Sequence, residues 1–401
     1  MKSLAVQPAE APIARMWQSV IKRLALLLTT AFAAETCNMA IKNVNYALLG
    51  VGGVGSALVD AIAGARDHHL KTYGVKLTAC LVADSSGALV AKGGLDDAAL
   101  RGAVAAKAKG EKVSSLEGAI AAADVAAAVA GLGPGTVVVD CSATDATVPL
   151  LIRAVTGGQK VVSANKKPFS GPQADYDALC GQPRFVDRVR HESSVGAGLP
   201  AIAALQRLVM ANDPVKKISG TFSGTLGYVM TGLQAGRPFS EIVLEAKQLG
   251  YTEPDPRDDL GGVDVARKAL ILARGLGWRL EMADVDVTPL YPPELAELSV
   301  PDFLAALPGL DAGFKAKADA AAAAGEALRY AANVEDGKLT VGLASVALAS
   351  PLGSLSGTDN LVEYYTQWYD PSPLVVRGAG AGAGTTAAGV LADMLELAFT
   401  P

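Results

Sequence analysis

The chain has 401 residues, of which 50% are hydrophobic and 19% are charged. This length and composition allow two domains with a large buried core and exclude wholesale disorder. The net charge is −5, which argues against nucleic acid or an anionic membrane as the main partner. The four cysteines are far apart and only three histidines occur, so the sequence suggests neither a disulfide framework nor a zinc site.

Residues 1–40 precede the first predicted strand. They carry scattered basic residues and an apolar run at residues 24–34 that is too short to span a bilayer. Three interpretations are open: an organelle-targeting presequence, an uncleaved leader, or a physiological start at Met39. We exclude this segment from the fold and expect a soluble cytoplasmic protein, or a plastid protein if the segment is a transit peptide.

Strands and helices alternate between residues 41 and 180. A short buried strand at residues 46–50 is followed by a glycine turn and a helix from Ser56 to about Ala65. Further strands are predicted at residues 77–83, 136–141 and 160–163, with alanine-rich helices before about Ala130. This alternation predicts an α/β domain with a doubly wound parallel sheet of the Rossmann type.

The turn at residues 50–55, with the sequence GVGGVG, is the predicted dinucleotide site. Its glycines let the backbone approach a pyrophosphate and aim a helix N-terminus at it. The strand–turn–helix context favours coenzyme binding over a plain tight turn. Asp84, after the second strand, suits the ribose hydroxyls of NAD, whereas the two serines that follow it suit the 2′-phosphate of NADP. The preference between the two coenzymes is therefore left open.

Polar residues also follow the next two strands. Ser142 and Lys166 lie at the carboxyl ends of predicted parallel strands, where open α/β sheets place ligands. Two interpretations of Lys166 and its neighbour Lys167 are open: solvated loop charges, or a catalytic or phosphate-contacting role beside a nicotinamide.

The segment HESSVGAGLP at residues 191–200 combines a carboxylate, Glu192, with a glycine-rich backbone. Such a segment can wrap a hard cation with carbonyl oxygens and one carboxylate. The alternative is a simple helix N-terminal turn at Pro200.

After about residue 180 the pattern changes. A strand begins at Ile218, helices punctuated by prolines fill residues 280–325, and Asp336-Gly337 is a two-residue turn typical of a β-hairpin. We predict an α+β catalytic and dimerisation domain over residues 181–372, built on an antiparallel sheet. Residues 373–401, with a helix from Thr386 to Ala398, are expected to return to the nucleotide-binding domain at residues 41–180.

The most informative segment is GYTEPDPRDDLGGVDVARK at residues 250–268, which places five carboxylates and three cations around two prolines. The prolines stiffen the turn. On the helix that follows, Asp264 and Lys268 lie four residues apart and therefore on one face. The arrangement offers carboxylates for a substrate ammonium and a lysine for proton transfer. The alternative is an exposed helix start with one surface ion pair, worth at most about 0.5 kcal/mol.

Taken in order, these segments resemble homoserine dehydrogenase, the NAD(P)-dependent enzyme that interconverts L-homoserine and L-aspartate 4-semialdehyde in threonine, methionine and isoleucine biosynthesis. The matching segments lie at residues 50–55, 163–170, 191–200, 223–228, 250–268 and 377–393. They cover essentially everything from residue 41 to the C-terminus.

The resemblance implies roles for individual residues. Lys268 resembles the lysine that exchanges a proton with the substrate oxygen, and Lys166 the second lysine, near the nicotinamide. The implied substrate-binding residues are Glu253, Asp259, Asp264 and Thr225. The predicted coenzyme-binding residues are Gly50, Gly52, Gly53, Val54, Gly55, Asp84, Ser142, Lys166, Gly380 and Gly382. A monovalent cation, Na⁺ or K⁺, is expected at Glu192 and the carbonyls of Val195, Ala197 and Leu199.

Proton transfer by Lys268 requires a lowered pKa, which burial and a neighbouring cation such as Lys166 produce. Asp264 opposes that shift, so we interpret it first as an orienting partner. Cys141 is expected to be a small core residue and not a nucleophile.

The sequence also departs from the family. It carries neither the regulatory ACT domain nor the aspartate kinase of many relatives, so the resemblance gives no basis for threonine feedback through such a domain. The family suggests a homodimer formed through the middle domain. Two rival functions are kept: another small amino-acid or aldehyde dehydrogenase on the same scaffold, and an inactive nucleotide-binding sensor.

Overall fold

The computed structural model describes residues 41–181 and 188–400. The apolar run at residues 24–34, and the expectations attached to it, lie outside the described residues. No helix within the described ranges is long and apolar enough to cross a membrane.

The first sheet has seven strands in the order β4-β3-β2-β1-β5-β6-β7. Its strands are β1 (Lys42–Leu49), β2 (Val75–Asp84), β3 (Gly87–Val90), β4 (Ile120–Ala121), β5 (Val137–Asp140), β6 (Lys160–Ser163) and β7 (Val189–Arg190). The five neighbouring strands β2, β1, β5, β6 and β7 pair in parallel. At one edge, β3 pairs antiparallel with β2, and β4 pairs antiparallel with β3. The Rossmann-type fold is thereby confirmed, and the antiparallel edge is a feature that the alternation of elements did not predict.

Helices cover both faces of this sheet. They are α1 (Gly53–Tyr73), α2 (Asp97–Ala108), α3 (Ala122–Ala130), α4 (Val148–Thr156), α5 (Lys167–Ser170) and α6 (Gln173–Cys180). Helix α1 is longer than predicted and runs to Tyr73, because the left-handed Gly74, with φ of 64°, is the first residue that ends it.

The second sheet has six strands in the order β13-β12-β8-β10-β11-β9. They are β8 (Val215–Thr221), β9 (Val285–Val287), β10 (Glu326–Glu335), β11 (Lys338–Ala347), β12 (Asp359–Thr366) and β13 (Leu374–Ala379). The predicted hairpin is confirmed: β10 and β11 pair antiparallel around Asp336 and Gly337, whose φ values are 50° and 75°. Only the pair β11–β9 is parallel among the recorded pairings of this sheet.

The second half supplies further helices: α7 (Ala201–Met210), α8 (Gly224–Gln234), α9 (Phe239–Gln248), α10 (Arg257–Leu260), α11 (Val263–Gly275), α12 (Val300–Ala306), α13 (Asp311–Ala323) and α14 (Ala383–Phe399). Helix α11 is almost wholly buried and packs against β10 and β11. Lys268 therefore projects from a rigid element and not from a loop.

Helix α14 lies beside α1 on the first sheet. A Cβ built on Gly53, at the start of α1, comes within 3.7 Å of the Ala383 side chain at the start of α14. At the other end, the rings of Tyr73 and Phe399 are 6.2 Å apart. The two helices are therefore parallel, with both N-termini at the glycine turn.

The hydrophobic core crosses from one sheet to the other. One contiguous cluster includes Val138 and Leu151 from the first half together with Leu205, Ile218 and Val265 from the second. The relative placement of the two sheets is thus fixed by shared packing, which allows a site between them to be preorganised.

Candidate active site

Lys268 is a buried lysine held by two partners. Its side chain is 10% exposed, and its ammonium lies 2.7 Å from Asp264 Oδ2, one helical turn earlier. The ammonium also donates to the carbonyl of Phe222, just after β8. The side chain is fixed at the junction of α11 and the second sheet, so the interpretation as an exposed surface ion pair does not describe it.

Lys166 reaches the same carboxylate from the first sheet. Its Nζ lies 3.1 Å from Asp264 Oδ1, so Asp264 bridges two lysines, one from each half of the molecule. The Asp264 side chain remains 47% exposed. The carboxylate that joins the two lysines can therefore be reached from solvent.

The electrostatics of this cluster favour proton transfer. Burial lowers the pKa of Lys268, and the positive charge of Lys166 lowers it further, although Asp264 and Asp259 act in the opposite direction. Partial burial would raise the pKa of Asp264, but the two lysines outweigh it and hold that pKa below its usual range. Asp264 is therefore a carboxylate, and Lys268 releases its proton more readily than an exposed lysine does.

The other predicted substrate residues gather next to this pair. Thr225, in the first turn of α8, donates to the carbonyl of Tyr251 at 2.5 Å. Asp259 accepts the N–H of Glu253 at 2.8 Å, and burial raises its pKa. Glu253 itself is exposed. Asp259 is close enough to Asp264 and Lys268 for their charges to interact.

The glycine turn has the close contacts that a dinucleotide site needs. Gly50 has φ of 94°, in the left-handed region. A Cβ on Gly55 would lie 1.9 Å from the carbonyl oxygen of Gly50, whereas a Cβ on Gly52 would meet nothing within 4 Å. The turn is therefore closely packed between Gly50 and Gly55 and open at Gly52, where backbone N–H groups can approach a phosphate.

Both helix N-termini at this turn are free to bind an anion. Neither α1 nor α14 has an acidic residue in its first turn or a side chain that caps it. Each N-terminus carries a partial positive charge of about half a unit. Together with Gly53 and Val54, the first turn of α14 therefore extends the predicted pyrophosphate site.

A buried hydrogen-bond network joins the segments that follow β5 and β6, beside Lys166. Asp140, at the end of β5, accepts from Ser142 N at 2.9 Å and from Asn165 Nδ2 at 3.0 Å. Asn165 also donates to the carbonyl of Thr144 at 2.9 Å. Sequence reasoning missed Asp140 and Asn165, although both follow parallel strands, which is the signal that singled out Ser142 and Lys166.

Asp84 has several partners of its own. Its carboxylate is 4% exposed and lies 3.1 Å from the ammonium of Lys107. It also accepts from the N–H and Oγ of Ser86, at 2.8 and 2.5 Å, and from the N–H of Val113 at 3.3 Å. These donors hold its pKa at about 2, although burial opposes them. A ribose at this turn would compete with these bonds.

The C-terminal glycine segment is packed tightly. A Cβ on Gly380 would lie 1.9 Å from Cγ of Asn360, and the Asn360 amide donates to the Gly380 carbonyl at 3.3 Å. Gly382 has φ of 118° and precedes α14. This packing fixes the turn that carries the second helix N-terminus.

The Glu192 carboxylate lies at the N-terminus of α7. Its two oxygens accept from Ile202 N and Ala203 N, both at 2.7 Å. Asp393 of α14 accepts the N–H of Glu192 at 2.9 Å. Burial raises the pKa of both carboxyls, that of Glu192 to about 7. These hydrogen bonds agree with the interpretation of this segment as a helix N-terminal turn.

The loop that follows Glu192 is strongly curved. Gly196 and Ala197 both have left-handed backbone, with φ of 76° and 58°. The carbonyl of Leu199 accepts from Ala201 N at 2.7 Å. Oxygen donors of this kind suit a hard cation.

Burial shifts the pKa of two other residues, His191 and Cys141, whose types often act in acid–base or nucleophilic catalysis. His191 stacks on Phe169 with ring centroids 4.0 Å apart, and burial lowers its pKa to about 4. Burial also raises the pKa of the Cys141 thiol well above its usual range. Neither group is suited to proton transfer near neutral pH.

Comparisons with known proteins identify the family of the chain. A family model for homoserine dehydrogenase matches residues 200–395, and one for the homoserine dehydrogenase NAD-binding domain matches residues 50–184. The Saccharomyces cerevisiae homoserine dehydrogenase is 34% identical over 368 residues, covering 90% of this chain and 99% of the relative.

A bifunctional aspartokinase/homoserine dehydrogenase from Haemophilus influenzae is 36% identical over 365 residues, 88% of this chain. The chain spans 43% of that relative and 29% of a carrot bifunctional one. A solved Candida auris structure of unknown function is 35% identical, with a TM-score of 0.78 over 89% of this chain and 98% of the other. The chain is a member of the homoserine dehydrogenase family of NAD(P)-dependent oxidoreductases.

Proposed function

We propose that the chain interconverts L-homoserine and L-aspartate 4-semialdehyde, a step of threonine, methionine and isoleucine biosynthesis. The observation that carries the proposal is the buried ammonium of Lys268, 2.7 Å from Asp264, which in turn pairs with Lys166 from the other half at 3.1 Å. No surface ion pair needs such an arrangement. Transfer of a proton to and from the amine of Lys268 does need it.

The bound nicotinamide supplies the hydride chemistry, and the residues of the chain bind, orient and move a proton. In oxidation, neutral Lys268 accepts the proton of the homoserine hydroxyl. In reduction, its ammonium donates that proton to the oxygen that forms. Asp264 orients the amine of Lys268 through Oδ2. The carbonyl of Phe222 accepts a second hydrogen bond from the amine and further fixes its orientation.

The acidic segment suits the substrate's amino group. Glu253, Asp259 and the carbonyl-bonded Thr225 lie on the elements that meet at the cleft. A carboxylate pairs well with an ammonium group at the edge of a partly buried site. We therefore assign these residues to substrate binding, with Asp264 shared between substrate and Lys268.

The direct test replaces Lys268 with alanine. Loss of a general acid–base group costs on the order of 10²–10⁴-fold in rate, so turnover of homoserine and of aspartate semialdehyde should nearly vanish. Coenzyme affinity, measured by fluorescence titration, should stay within a factor of two or so of wild type. Turnover near the wild-type level would show that another group moves the proton.

The residues at the glycine turn fit a dinucleotide coenzyme, because the space in front of Gly52 is open and two uncapped helix N-termini face it. Gly50, Gly55, Ser142, Gly380 and Gly382 would shape this site. The bonds that hold Asp84 leave the choice between NAD and NADP to experiment. Consumption of NADH and of NADPH with aspartate semialdehyde, compared in one assay, measures it.

We also propose a monovalent cation at Glu192 and the carbonyls of Val195, Ala197 and Leu199. The support is the carboxylate of Glu192 together with the carbonyl oxygens of the strongly curved loop that follows it. Turnover in NaCl or KCl should exceed that in tetramethylammonium chloride at equal ionic strength. Equal turnover in all three salts would exclude the site.

A homodimer formed through the second domain is proposed as well. Trp368 and Tyr369, after β12, are 73% and 42% exposed in the single chain, which is unusual for large aromatic side chains. Light scattering on the purified protein tests this directly, and a monomeric mass at micromolar concentration would refute it.

The two rival functions predict different outcomes. Another dehydrogenase on this scaffold would oxidise some other amino acid or alcohol far faster than homoserine. An inactive sensor would bind nucleotide without acting on any semialdehyde. The intact set of Glu253, Asp264, Lys268 and Lys166 around one cleft favours neither rival.

A further inference from the structure

The backbone of Lys166 is held as firmly as its side chain. Its carbonyl accepts the N–H groups of Phe169 and Ser170, both at 3.0 Å. It also accepts the hydroxyl of Ser170 at 3.0 Å. Ser170 is 1% exposed, so this short turn, which begins α5, has little freedom to move.

Arg267 connects this turn to helix α11. Its Nη1 donates to Ser170 Oγ at 3.2 Å. Arg267 precedes Lys268 on α11. Lys166 is therefore connected to α11 in two ways: its ammonium binds Asp264, and its carbonyl accepts from Ser170, which is bound by Arg267. A second arginine of the same helix, Arg274, donates to the carbonyl of Phe169 at 2.9 Å and reinforces the junction.

We propose that Arg267 is a positioning residue which, acting through Ser170, fixes where the ammonium of Lys166 lies relative to Asp264 and Lys268. This inference rests on the function proposed above. Arg267 is assigned no contact with substrate or coenzyme. Its role is to keep the two lysines on opposite oxygens of one carboxylate.

The electrostatic consequence is specific. The charged groups that face Lys268 are Asp264, Asp259 and Lys166. When Lys166 withdraws, its repulsion is lost and Asp264 attracts Lys268 alone. Both changes raise the pKa of Lys268 towards the value of an exposed lysine, so less neutral amine is available at a given pH.

The experiment compares Arg267→Ala, Ser170→Ala and Arg267→Lys in homoserine oxidation across a range of pH. The first two variants should move the rising limb of kcat to higher pH by about one unit, with a loss of about tenfold near neutral pH that recovers in alkali. Arg267→Lys keeps a donor for Ser170 and should restore part of the shift.

Arg279 offers a matched control. It forms an ion pair at 2.7 Å with Asp177 of α6, joining the same two parts of the chain at the surface. Arg279→Ala should leave the pH profile as in wild type. If Arg267→Ala fails to fold, Ser170→Ala decides the question alone.

The two proposals fail differently. A wild-type protein without homoserine oxidation would overturn the proposed function itself. An active wild type, with Arg267→Ala and Ser170→Ala lowering kcat equally at every pH, would overturn the positioning role only, because a merely structural defect does not move a titration limb.

Discussion

At the scale of single residues, Asp264 carries the most conflicting demands. It must be charged to orient Lys268, yet its charge holds on to the proton that Lys268 has to release. The structure resolves the conflict by giving its second oxygen to Lys166. The repulsion between the two lysines offsets part of the attraction that Asp264 exerts on Lys268.

Replacing Asp264 with asparagine tests this balance. The substitution removes the attraction that raises the pKa of Lys268, while burial and Lys166 continue to lower it. The amine is then neutral at lower pH, so the rising limb of kcat for oxidation should move to lower pH by about one unit. In reduction the amine of Lys268 must carry its proton. The falling limb of kcat for reduction should therefore also move to lower pH.

The profiles are measured in both directions, with Asp258→Asn as control, since Asp258 is an exposed neighbour in the same acidic segment. That control should leave both limbs in place. A limb that moved to higher pH in Asp264→Asn would show that Asp264 acts on Lys268 in some other way than by its charge.

The residues of the site were predictable to the extent that local spacing determines them. The separation of four residues on one helix placed Asp264 beside Lys268, and this contact is present at 2.7 Å. The contact between Lys166 and Asp264 depends on how two domains pack, which no local pattern encodes. Arg267 was noted only as a charge, because its partner Ser170 lies far away in sequence.

At the scale of elements, the parallel pair α1 and α14 is the feature with the clearest chemical consequence. The glycine turn predicted one helix N-terminus at the pyrophosphate. The second comes from the C-terminal segment, whose start lies against Gly53. The rings of Tyr73 and Phe399 are 6.2 Å apart at the far end, and sequence periodicity carries no information about such a pairing.

A charge at the start of α14 tests whether this helix contributes to coenzyme binding. Ala383→Glu places a carboxylate in its first turn, where it should repel the pyrophosphate and weaken coenzyme binding about fivefold, the effect of roughly 1 kcal/mol. The free protein should be as stable as before, because an acidic residue suits a helix N-terminus.

Ala388→Glu is the control, since Ala388 is an exposed residue of the same helix beyond its first turn. Its coenzyme affinity should match wild type in fluorescence titration. Equal affinities for both variants and the wild type would mean that only α1 faces the pyrophosphate.

At the scale of the whole molecule, the chain crosses between its two sheets more than once. Helix α14 returns to α1 after the second sheet is complete, and the Lys160 ammonium of β6 donates to the carbonyls of Leu397 and Thr400 at 3.0 and 2.7 Å. The fold class followed from the alternation of strands and helices. The shared core did not, because burial between domains looks like any other apolar periodicity in the sequence.

This shared core predicts that the two halves unfold together. Because one cluster joins Val138 of the first sheet to Ile218 of the second, exposure of either face removes packing from the other. Differential scanning calorimetry of the full chain should show one transition. A coenzyme at about 100 times its Kd should shift that whole transition upwards, since binding to the folded state alone adds about 2.7 kcal/mol. Two transitions, of which only one moves with coenzyme, would show instead that the dinucleotide domain folds independently of the lysine-bearing helix α11, and the cleft between them would then have to be assembled by the ligands.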